Sequence, residues 1–331
     1  MSLRPSILVT GGAGFVGSHV CEALHMAGFL PVVLDDLSAG VQDFVQWGPF
    51  FKGRIGDRDG VRQICEIHHP VACLHFAGLI EVGRSVSHPD LFYETNVAES
   101  IALMTTLRRC GVNSVVFSST AAVYRAQMTP LAETAILGPE SPYGWSKWMI
   151  EQYLTDLDRA YGIKSIALRY FNAAGGHPIL DMGESHYPET HLIPALLDFA
   201  VGRRPSFSVF GTDYPTPDGT CIRDYVHVAD LAKAHVMAVR HLLAGGKSAV
   251  FNVGTGWGHS VKEVVDAVQF VVGQSLAVDY GDRREGDAPM LVANSDAIQS
   301  EWNWRPLRSD LHTLIADAWR WRGRSNPILD R

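Results

Sequence analysis

The chain has 331 residues, and its 28 Lys and Arg against 35 Asp and Glu give a net charge of −7. Hydrophobic residues make up 47% of it and charged residues 19%, which allows a full core and excludes intrinsic disorder. The acidic balance, without a long run of either charge, argues against a nucleic-acid or membrane surface. We expect a globular protein with two domains, or one large α/β unit with an appendage.

The cysteines and the first residues of the chain indicate the cellular compartment of the protein. The five cysteines are scattered, odd in number and form no C-x-x-C pair, as is typical of free thiols in a reducing compartment. The apolar stretch at 6–10 is too short for a signal peptide, and no run of about 18 apolar residues occurs. These features predict a cytoplasmic protein without a membrane span.

The first half of the chain alternates short β-branched runs with longer amphipathic stretches. Five runs predict buried parallel strands, at 7–10, 31–34, 72–76, 115–118 and 166–170. Four stretches predict the connecting helices, at 15–27, 60–68, 89–110 and 142–161. This βαβαβ order is typical of an α/β fold with a Rossmann-type, doubly wound parallel sheet.

Beyond residue 170, loops rich in Gly, Pro and Asp interrupt this alternation. Two more strand-like segments, at 225–228 and 250–253, predict a return to the first sheet before the chain ends in a smaller C-terminal α/β lobe. We therefore predict a nucleotide-binding Rossmann domain at 1–175, with returning segments near 225–255. The second lobe is predicted at 176–331, mainly 176–224 and 256–331.

A glycine-rich turn follows the first predicted strand. The segment TGGAGFVGSH places Gly11, Gly14 and Gly17 where small residues let the backbone approach a pyrophosphate. A turn that binds nothing is the alternative for such a triplet. The next strand ends in Asp35, eighteen residues past Gly17, near the offset of an acid that binds the adenine ribose. Asp35 and Asp36 would repel a 2′-phosphate, so they favour NAD over NADP.

Hydroxyl and amine side chains cluster between the fourth predicted strand and the next helix. SPYGWSK places Tyr143 and Lys147 four residues apart, on one face of the helix. An ammonium, together with an oxidised nicotinamide, stabilises a phenolate, so Tyr143 can exchange a proton with a substrate hydroxyl. FSSTAAVY places Ser118, Ser119 and Thr120 at the carboxyl edge of the sheet, where open α/β folds bind ligands. Together these motifs predict a nicotinamide-dependent enzyme.

Several segments resemble the extended short-chain dehydrogenase/reductase family: TGGAGFVGSH, HFAGLIEVGRSV, FSSTAAVY, SPYGWSK and RYFNAAGGHP. Later segments are similar to the UDP-sugar epimerases of that family: DYPTPDGTCIRDYVHVADLAKAH, FNVGTGWGHSV and DRREGDAP. The resemblance covers nearly the whole chain, and it implies bound NAD, a UDP-sugar substrate in the second lobe and a homodimer. It also implies hydride abstraction from carbon 4 of the sugar, rotation of the 4-keto sugar and hydride return.

The resemblance implies roles for individual residues. The expected catalytic residues are Thr120, Tyr143 and Lys147. The expected cofactor-binding residues are Gly11, Gly14, Phe15, Val16, Gly17, Asp35, Asp36, Phe76, Ala77, Gly78, Asn96, Ser118, Tyr143, Lys147 and Tyr170. The expected UDP-sugar-binding residues are Thr120, Asn172, His191, Leu192, Phe210, Arg223, Tyr225, Arg284, Asp287 and Leu291. No metal is predicted, because the histidines show no metal-ligand spacing.

Some of these roles have alternatives. Arg223 and Arg284 are expected to close a charge-assisted clamp on the two phosphates of the substrate. His191 either binds phosphate or caps a helix. Phe210 and Tyr225 either pack near the base or belong to the core.

The substrate and the reaction also have alternatives. Leu291 aligns with a gate position beside the sugar, which makes UDP-glucose and UDP-galactose the first choice and UDP-N-acetylhexosamines and UDP-pentoses the alternatives. Ala121 and Ala122 follow Thr120 where related dehydratases and decarboxylases carry an acid, which argues against those reactions. An NAD-dependent nucleotide-sugar reductase and a non-catalytic NAD-binding regulator are the remaining hypotheses.

Overall fold

The structure is a computed structural model that describes residues 4–284, 287–323 and 329. Its strands are β1 (Ser6–Thr10), β2 (Leu30–Asp35), β3 (Phe50–Lys52), β4 (Ala72–His75), β5 (Ser114–Thr120), β6 (Lys164–Tyr170), β7 (Asn172–Ala174), β8 (Ser208–Phe210), β9 (Ile222–His227), β10 (Ala249–Val253), β11 (Gly258–Ser260), β12 (Asp279–Gly281) and β13 (Met290–Leu291). Its helices are α1 (Phe15–Met26), α2 (Arg58–His68), α3 (Val82–Ser87), α4 (Pro89–Phe92), α5 (Glu99–Arg109), α6 (Pro142–Tyr161), α7 (Leu192–Ala200), α8 (Val228–Leu243), α9 (Val261–Val272), α10 (Asp296–Trp302) and α11 (Leu311–Arg322).

The main sheet has seven strands in the order β10-β6-β5-β4-β1-β2-β3. Strand β1 pairs in parallel with β2 on one side and β4 on the other, and β4 pairs in parallel with β5. The strand order therefore reverses at β1, which is the topological switch point of a doubly wound sheet. The predicted fold class is confirmed. Strand β3 was not predicted, because three residues are too few to show a strand pattern.

The predicted helix at 142–161 has the bounds of α6, and local chemistry explains both ends. Ser141 caps the first turn by accepting a hydrogen bond from the Gly144 N–H at 3.2 Å, and Pro142 takes the first helical position. Gly162 ends the helix in the left-handed conformation, with a φ of 72°. Leu154 then faces the same apolar core as the strands of the main sheet.

The helix predicted at 89–110 is built from three consecutive pieces. Helix α4 runs into a π-helical turn at Tyr93–Ala98, and α5 follows it. Such a turn is frequent at functional sites, and this one carries Asn96.

The second sheet is centred on β9, which pairs with β7, β11 and β13. Of the two segments expected to return to the first sheet, the one at 250–253 does so as β10. The expectation for 225–228 was wrong, because those residues lie in and just beyond β9. An apolar run predicts a strand, but it does not identify the neighbouring strand.

The chain divides into two compact units. The first unit comprises Met1–Arg125, Ile136–Arg169 and Ala232–Phe251, and the second comprises Ala126–Ala135, Tyr170–Leu231 and Asn252–Arg331. The second unit has its own apolar core, to which α7, α9 and α11 contribute. Among the described residues, each helix is too short or too polar to cross a membrane.

Candidate active site

The glycine turn lies between β1 and α1 in the first unit. Gly11 has a φ of 71°, and a Cβ there would lie 2.6 Å from the Ala77 N. A Cβ on Gly17 would clash with the carbonyl oxygen of Gly11. Only glycine therefore allows the turn to close this tightly. Gly14 precedes α1, and Phe15, Val16 and Gly17 form its first turn, whose N–H groups have no acceptor within the helix.

Asp35 ends β2 beside this turn and is 8% exposed. Its carboxylate accepts hydrogen bonds from the N–H groups of Ala13 at 3.0 Å and Leu37 at 2.9 Å. Burial raises the pKa of Asp35, and these two hydrogen bonds oppose that rise. Asp36 is exposed, and its carboxylate accepts the Ser38 N–H at 2.8 Å.

The segment after β4 borders the same turn. The N–H groups of Phe76 and Ala77 donate to the Thr10 carbonyl at 3.0 and 3.2 Å. Asn96 fixes the backbone of Leu79, further along the same segment, through two hydrogen bonds. Its Oδ1 accepts the Leu79 N–H at 2.8 Å, and its Nδ2 donates to the Leu79 carbonyl at 2.9 Å. A Cβ on Gly78 would lie 2.9 Å from the Asn96 Oδ1, so this loop packs closely against the π-helical turn.

The structure brings Thr120, Tyr143 and Lys147 together at the end of β5 and the start of α6. The side chains of Thr120 and Tyr143 share a hydrogen bond, and the Thr120 Oγ1 also accepts the Ala122 N–H at 3.1 Å. Lys147 is 4% exposed, and its Nζ donates to the Ser118 carbonyl at 3.0 Å. That Nζ lies 5.9 Å from the centroid of the Tyr143 ring.

Burial governs the electrostatics of this corner. It raises the pKa of Tyr143, which the hydrogen bond from Thr120 lowers only in part. Burial also lowers the pKa of Lys147 to about 8, so the ammonium is still mostly charged at neutral pH. At the Tyr143 phenol, burial therefore outweighs the hydrogen bond from Thr120, and the groups of the protein alone do not lower its pKa.

A buried network beside these residues was missed from the sequence. Arg169 donates to the Glu151 Oε1 through Nε at 2.9 Å and to the Tyr124 hydroxyl at 2.9 Å. The Ser119 hydroxyl donates to the same Glu151 oxygen. Through these contacts, Glu151 of α6 and Arg169 of β6 are joined to Ser119 and Tyr124, the two ends of the segment that carries Thr120. The available signal was position, because Glu151 lies one helical turn beyond Lys147.

In the second unit, the residues expected to bind the diphosphate converge around one carboxylate. Arg284 Nε lies 3.0 Å from the Asp287 Oδ2, and Arg223 Nη2 lies 3.9 Å from the Asp287 Oδ1. Arg223 also donates to the Ala288 carbonyl at 2.8 Å. The Arg284 guanidinium lies 5.1 Å from the centroid of the Phe210 ring. We call Phe210, Arg223, Arg284 and Asp287 the arginine cluster.

Other expected substrate residues flank this cluster in the second sheet. Leu291 of β13 pairs in register with Arg223, and Asn172 of β7 pairs with Tyr225. Tyr225 is 4% exposed and belongs to the apolar core. Of the two aromatic candidates, Phe210 is therefore the accessible one. Leu192, another expected substrate residue, packs against the core of the second unit, and Tyr170, which was expected to bind the cofactor, lies at the end of β6.

His191 directly precedes α7 but makes no side-chain hydrogen bond to its first turn. Its Nδ1 contacts the Glu184 Oε1 instead, and the His186 Nδ1 lies 3.2 Å from that same oxygen. Glu189 completes a group of four whose ligand atoms lie within 4.8 Å of one another. We call these four residues the His–Glu cluster. It was not predicted from the sequence, because a loop conformation creates it.

The His–Glu cluster carries strong mutual electrostatics. Burial opposes the charge on His186, but its hydrogen bonds to Glu184 and Glu189 raise its pKa to about 10. Burial likewise opposes the charge on His191, and Glu184 raises its pKa. Burial would raise the pKa of Glu184, but the two histidines outweigh this effect and hold it well below its usual range.

Comparison with known proteins gives the family. Residues 7–254 match the model of the NAD dependent epimerase/dehydratase family. The chain is 48% identical over 322 residues to a UDP-glucose 4-epimerase of Rhizobium leguminosarum bv. trifolii, covering 97% of this chain and 98% of that protein. It therefore belongs to the NAD-dependent epimerase/dehydratase family, which confirms the expected resemblance and the dependence on NAD.

Two solved structures share its fold over nearly full length. UDP-glucose 4-epimerase of Brucella ovis, in complex with NAD, superposes with a TM-score of 0.93 at 42% identity, covering 96% of this chain and 98% of that chain. The Stenotrophomonas maltophila UDP-glucose 4-epimerase with bound NAD and formylated UDP-arabinopyranose has a TM-score of 0.93 at 37% identity, covering 97% and 98%.

Proposed function

We propose that this chain is an NAD-dependent isomerase that interconverts UDP-glucose and UDP-galactose. Its similarity to UDP-glucose 4-epimerases extends over almost the whole of both chains. The observation that carries the proposal is the arrangement of Thr120, Tyr143 and Lys147, in which a phenol, a hydroxyl and a buried ammonium meet at the carboxyl end of a central strand.

Tyr143 is the proposed general base and acid. Bound NAD would supply the hydride acceptor and return the hydride, together with a positive charge in its oxidised form. Tyr143 removes the proton from the 4-hydroxyl of the sugar and later returns it, and Thr120 shares its hydrogen bond with that hydroxyl. Lys147 stabilises the phenolate by its charge and is fixed in place by the Ser118 carbonyl.

The first unit has the features that a dinucleotide requires. The turn at Gly11 and Gly17 lets a pyrophosphate approach the N–H groups at the start of α1. The Asp35 carboxylate, already oriented by two backbone N–H groups, retains lone pairs for ribose hydroxyls. Asn96 holds the loop at Phe76, Ala77 and Gly78, the proposed wall of the nicotinamide side.

The arginine cluster is the proposed UDP site. A diphosphate offers the two arginines the pairing that Asp287 provides in the protein alone. Asp287 is then available to accept ribose hydroxyls, and Phe210 presents an accessible ring for the base. Binding energy placed on the nucleotide leaves the hexose held loosely enough for the 4-keto sugar to rotate.

The test follows the anomeric protons by NMR while purified protein and NAD are incubated with UDP-galactose. Conversion to an equilibrium mixture with UDP-glucose, without net NADH formation, is the expected result. Steady NADH turnover would indicate a reductase instead. An unchanged spectrum together with measurable NAD binding would favour the non-catalytic regulator.

A second candidate substrate is a UDP-pentose, because a similar enzyme has been crystallised with a formylated UDP-arabinopyranose. Leu291, beside Arg223 in the second sheet, is the proposed residue that admits or excludes sugar substituents. Parallel incubations with UDP-xylose and UDP-N-acetylgalactosamine decide between these substrates. Conversion of UDP-N-acetylgalactosamine at a rate close to that of UDP-galactose would contradict a preference for unsubstituted hexoses.

A homodimer is the proposed assembly. Ile101 of α5 and Trp145 and Met149 of α6 are large apolar side chains that are 37%, 38% and 42% exposed. Such residues on neighbouring helices form a surface that a twofold partner can cover. Light scattering after size-exclusion chromatography should give twice the chain mass, and a Met149→Glu variant should shift it to the monomer. The cytoplasm is the proposed compartment, in keeping with five free cysteines.

A further inference from the structure

The His–Glu cluster lies in the second unit, in the segment that leads from β7 into α7. Glu184 is buried, and His186 and Glu189 have side chains that are 20% and 5% exposed. His191 is the most open member, with 44% of its side chain exposed. Neither the proposed reaction nor the proposed nucleotide sites use Glu184, His186 or Glu189.

The spacing of the four ligand atoms is close to that of a tetrahedral metal site. Zinc binds imidazole nitrogen and carboxylate oxygen at about 2.0–2.2 Å, so ligand atoms in a tetrahedron lie roughly 3.3–3.6 Å apart. The His186 Nδ1 lies 3.2 Å from the Glu184 Oε1 and 3.9 Å from the Glu189 Oε1. No atom of the set is more than 4.8 Å from another.

The surroundings hold the Glu189 carboxylate and the Glu184 backbone in place without an ion. The Glu189 Oε1 accepts the N–H groups of Thr190 and His191, each at 2.9 Å. Arg322 Nη1 donates to the Glu184 carbonyl at 2.6 Å and lies 3.1 Å from the Glu189 Oε2. That guanidinium is also paired with Asp198 at 2.7 Å, so its charge is shared among several acceptors. Glu184 therefore stays ionised, and a metal ion bound here would take the place of the protons that His186 and His191 carry beside it.

The choice of ligands identifies the class of ion. Two imidazoles and two carboxylates suit zinc and neighbouring first-row metals, whereas Mg²⁺ and Ca²⁺ prefer oxygen ligands alone. Four protein ligands leave no open coordination position, which is the pattern of a structural zinc site rather than a catalytic one.

We propose that Glu184, His186, Glu189 and His191 bind one Zn²⁺ ion, which ties the 184–191 segment to the start of α7. The site includes none of Thr120, Tyr143 or Lys147, and it shares only His191 with the residues expected to bind the UDP-sugar. Zinc should therefore raise the thermal stability of the chain, because an ion that binds only the folded state stabilises it.

The first experiment is calorimetric titration of the metal-free, full-length protein with Zn²⁺. We expect one ion per chain in the wild type and at least a 100-fold weaker affinity in the double variant His186→Ala/His191→Ala. The matched control is His88→Ala/His312→Ala, which removes two exposed histidines from other positions and should bind as the wild type does. Absence of stoichiometric binding by the wild type, or equal binding by both double variants, would overturn the proposal.

A second measurement needs no variant and guards against misfolding of the histidine variant. Co²⁺ added to the metal-free wild type should give the visible bands of a tetrahedral site with nitrogen and oxygen ligands. A thiolate charge-transfer band would place the metal at the cysteines and would contradict the assignment. Bands of an octahedral, largely hydrated ion would show that the four side chains form only a salt-bridged cluster.

Discussion

The proposed catalytic corner of the first unit, formed by Thr120, Tyr143 and Lys147, and the arginine cluster of the second hold their charges in different ways. Lys147 is 4% exposed and contacts a backbone carbonyl at the end of a central strand. The side chain of Arg284 is 62% exposed and pairs with Asp287 in a loop. A buried charge that is fixed in a rigid part of the fold exerts the same electrostatic effect throughout proton transfer. An exposed ion pair, by contrast, changes partners at little cost in free energy.

The largest expected effect concerns the buried corner. A Tyr143→Phe variant keeps the ring and removes the hydroxyl that we propose as the proton acceptor and donor, so kcat should fall by about 10²- to 10⁴-fold. KM should change little, because the arginine cluster is intact. Stopped assays with UDP-galactose measure both constants, and a Tyr153→Phe variant on the same helix is the control. Near-normal turnover by Tyr143→Phe would remove the proposed role.

The second effect tests whether the buried network supports the corner. Glu151→Gln leaves Arg169 buried without its ionic partner, and loss of one member of a buried pair costs about 3–5 kcal/mol. We expect a loss of that order in the free energy of unfolding, measured by urea denaturation. Glu140→Gln alters an exposed carboxylate and should change the unfolding free energy by less than about 0.5 kcal/mol. Equal stability of the two variants would contradict a role for the network.

Sequence and structure agree best where a single element determines the position of a residue. Tyr143 and Lys147 were placed on one helical face because they lie one turn apart, and the structure keeps them on α6. Glu151 lies on the same helix, but its position in the sequence does not identify Arg169 as its partner, because that contact depends on how α6 packs on β6. Asp287, between two arginines, and Glu184, between two histidines, depend likewise on loop conformations that no periodic pattern specifies.

The third effect uses pH to measure the burial of Lys147. Its folded pKa, about 8, lies below the ordinary value of 10.5, so the unfolded state binds more protons between these pH values. The contribution of Lys147 to stability is therefore least favourable below pH 8 and improves as pH rises towards 10.5, by about 3 kcal/mol in all.

The measurement compares the unfolding free energy of wild type and Lys147→Met across that pH window. The difference between the two should rise with pH in favour of the wild type. The same comparison with Lys233→Met, which removes an exposed lysine of the first unit, should give parallel curves. Parallel curves for Lys147→Met as well would show that the ammonium is not desolvated.

The smallest effect concerns the exposed side of the comparison. The side chain of Arg223 is only 15% exposed. An Arg223→Ala variant should therefore bind substrate about 1.5–3 kcal/mol less tightly, which is measured as a rise in KM. Arg284 is mostly exposed, so Arg284→Ala should raise KM only a few-fold. The Arg284 effect should also shrink as salt increases, because exposed charges are screened over about 8–10 Å. If both variants showed the same KM and the same salt dependence, exposure would not separate the two arginines, and the cluster would act as one rigid site like the buried corner.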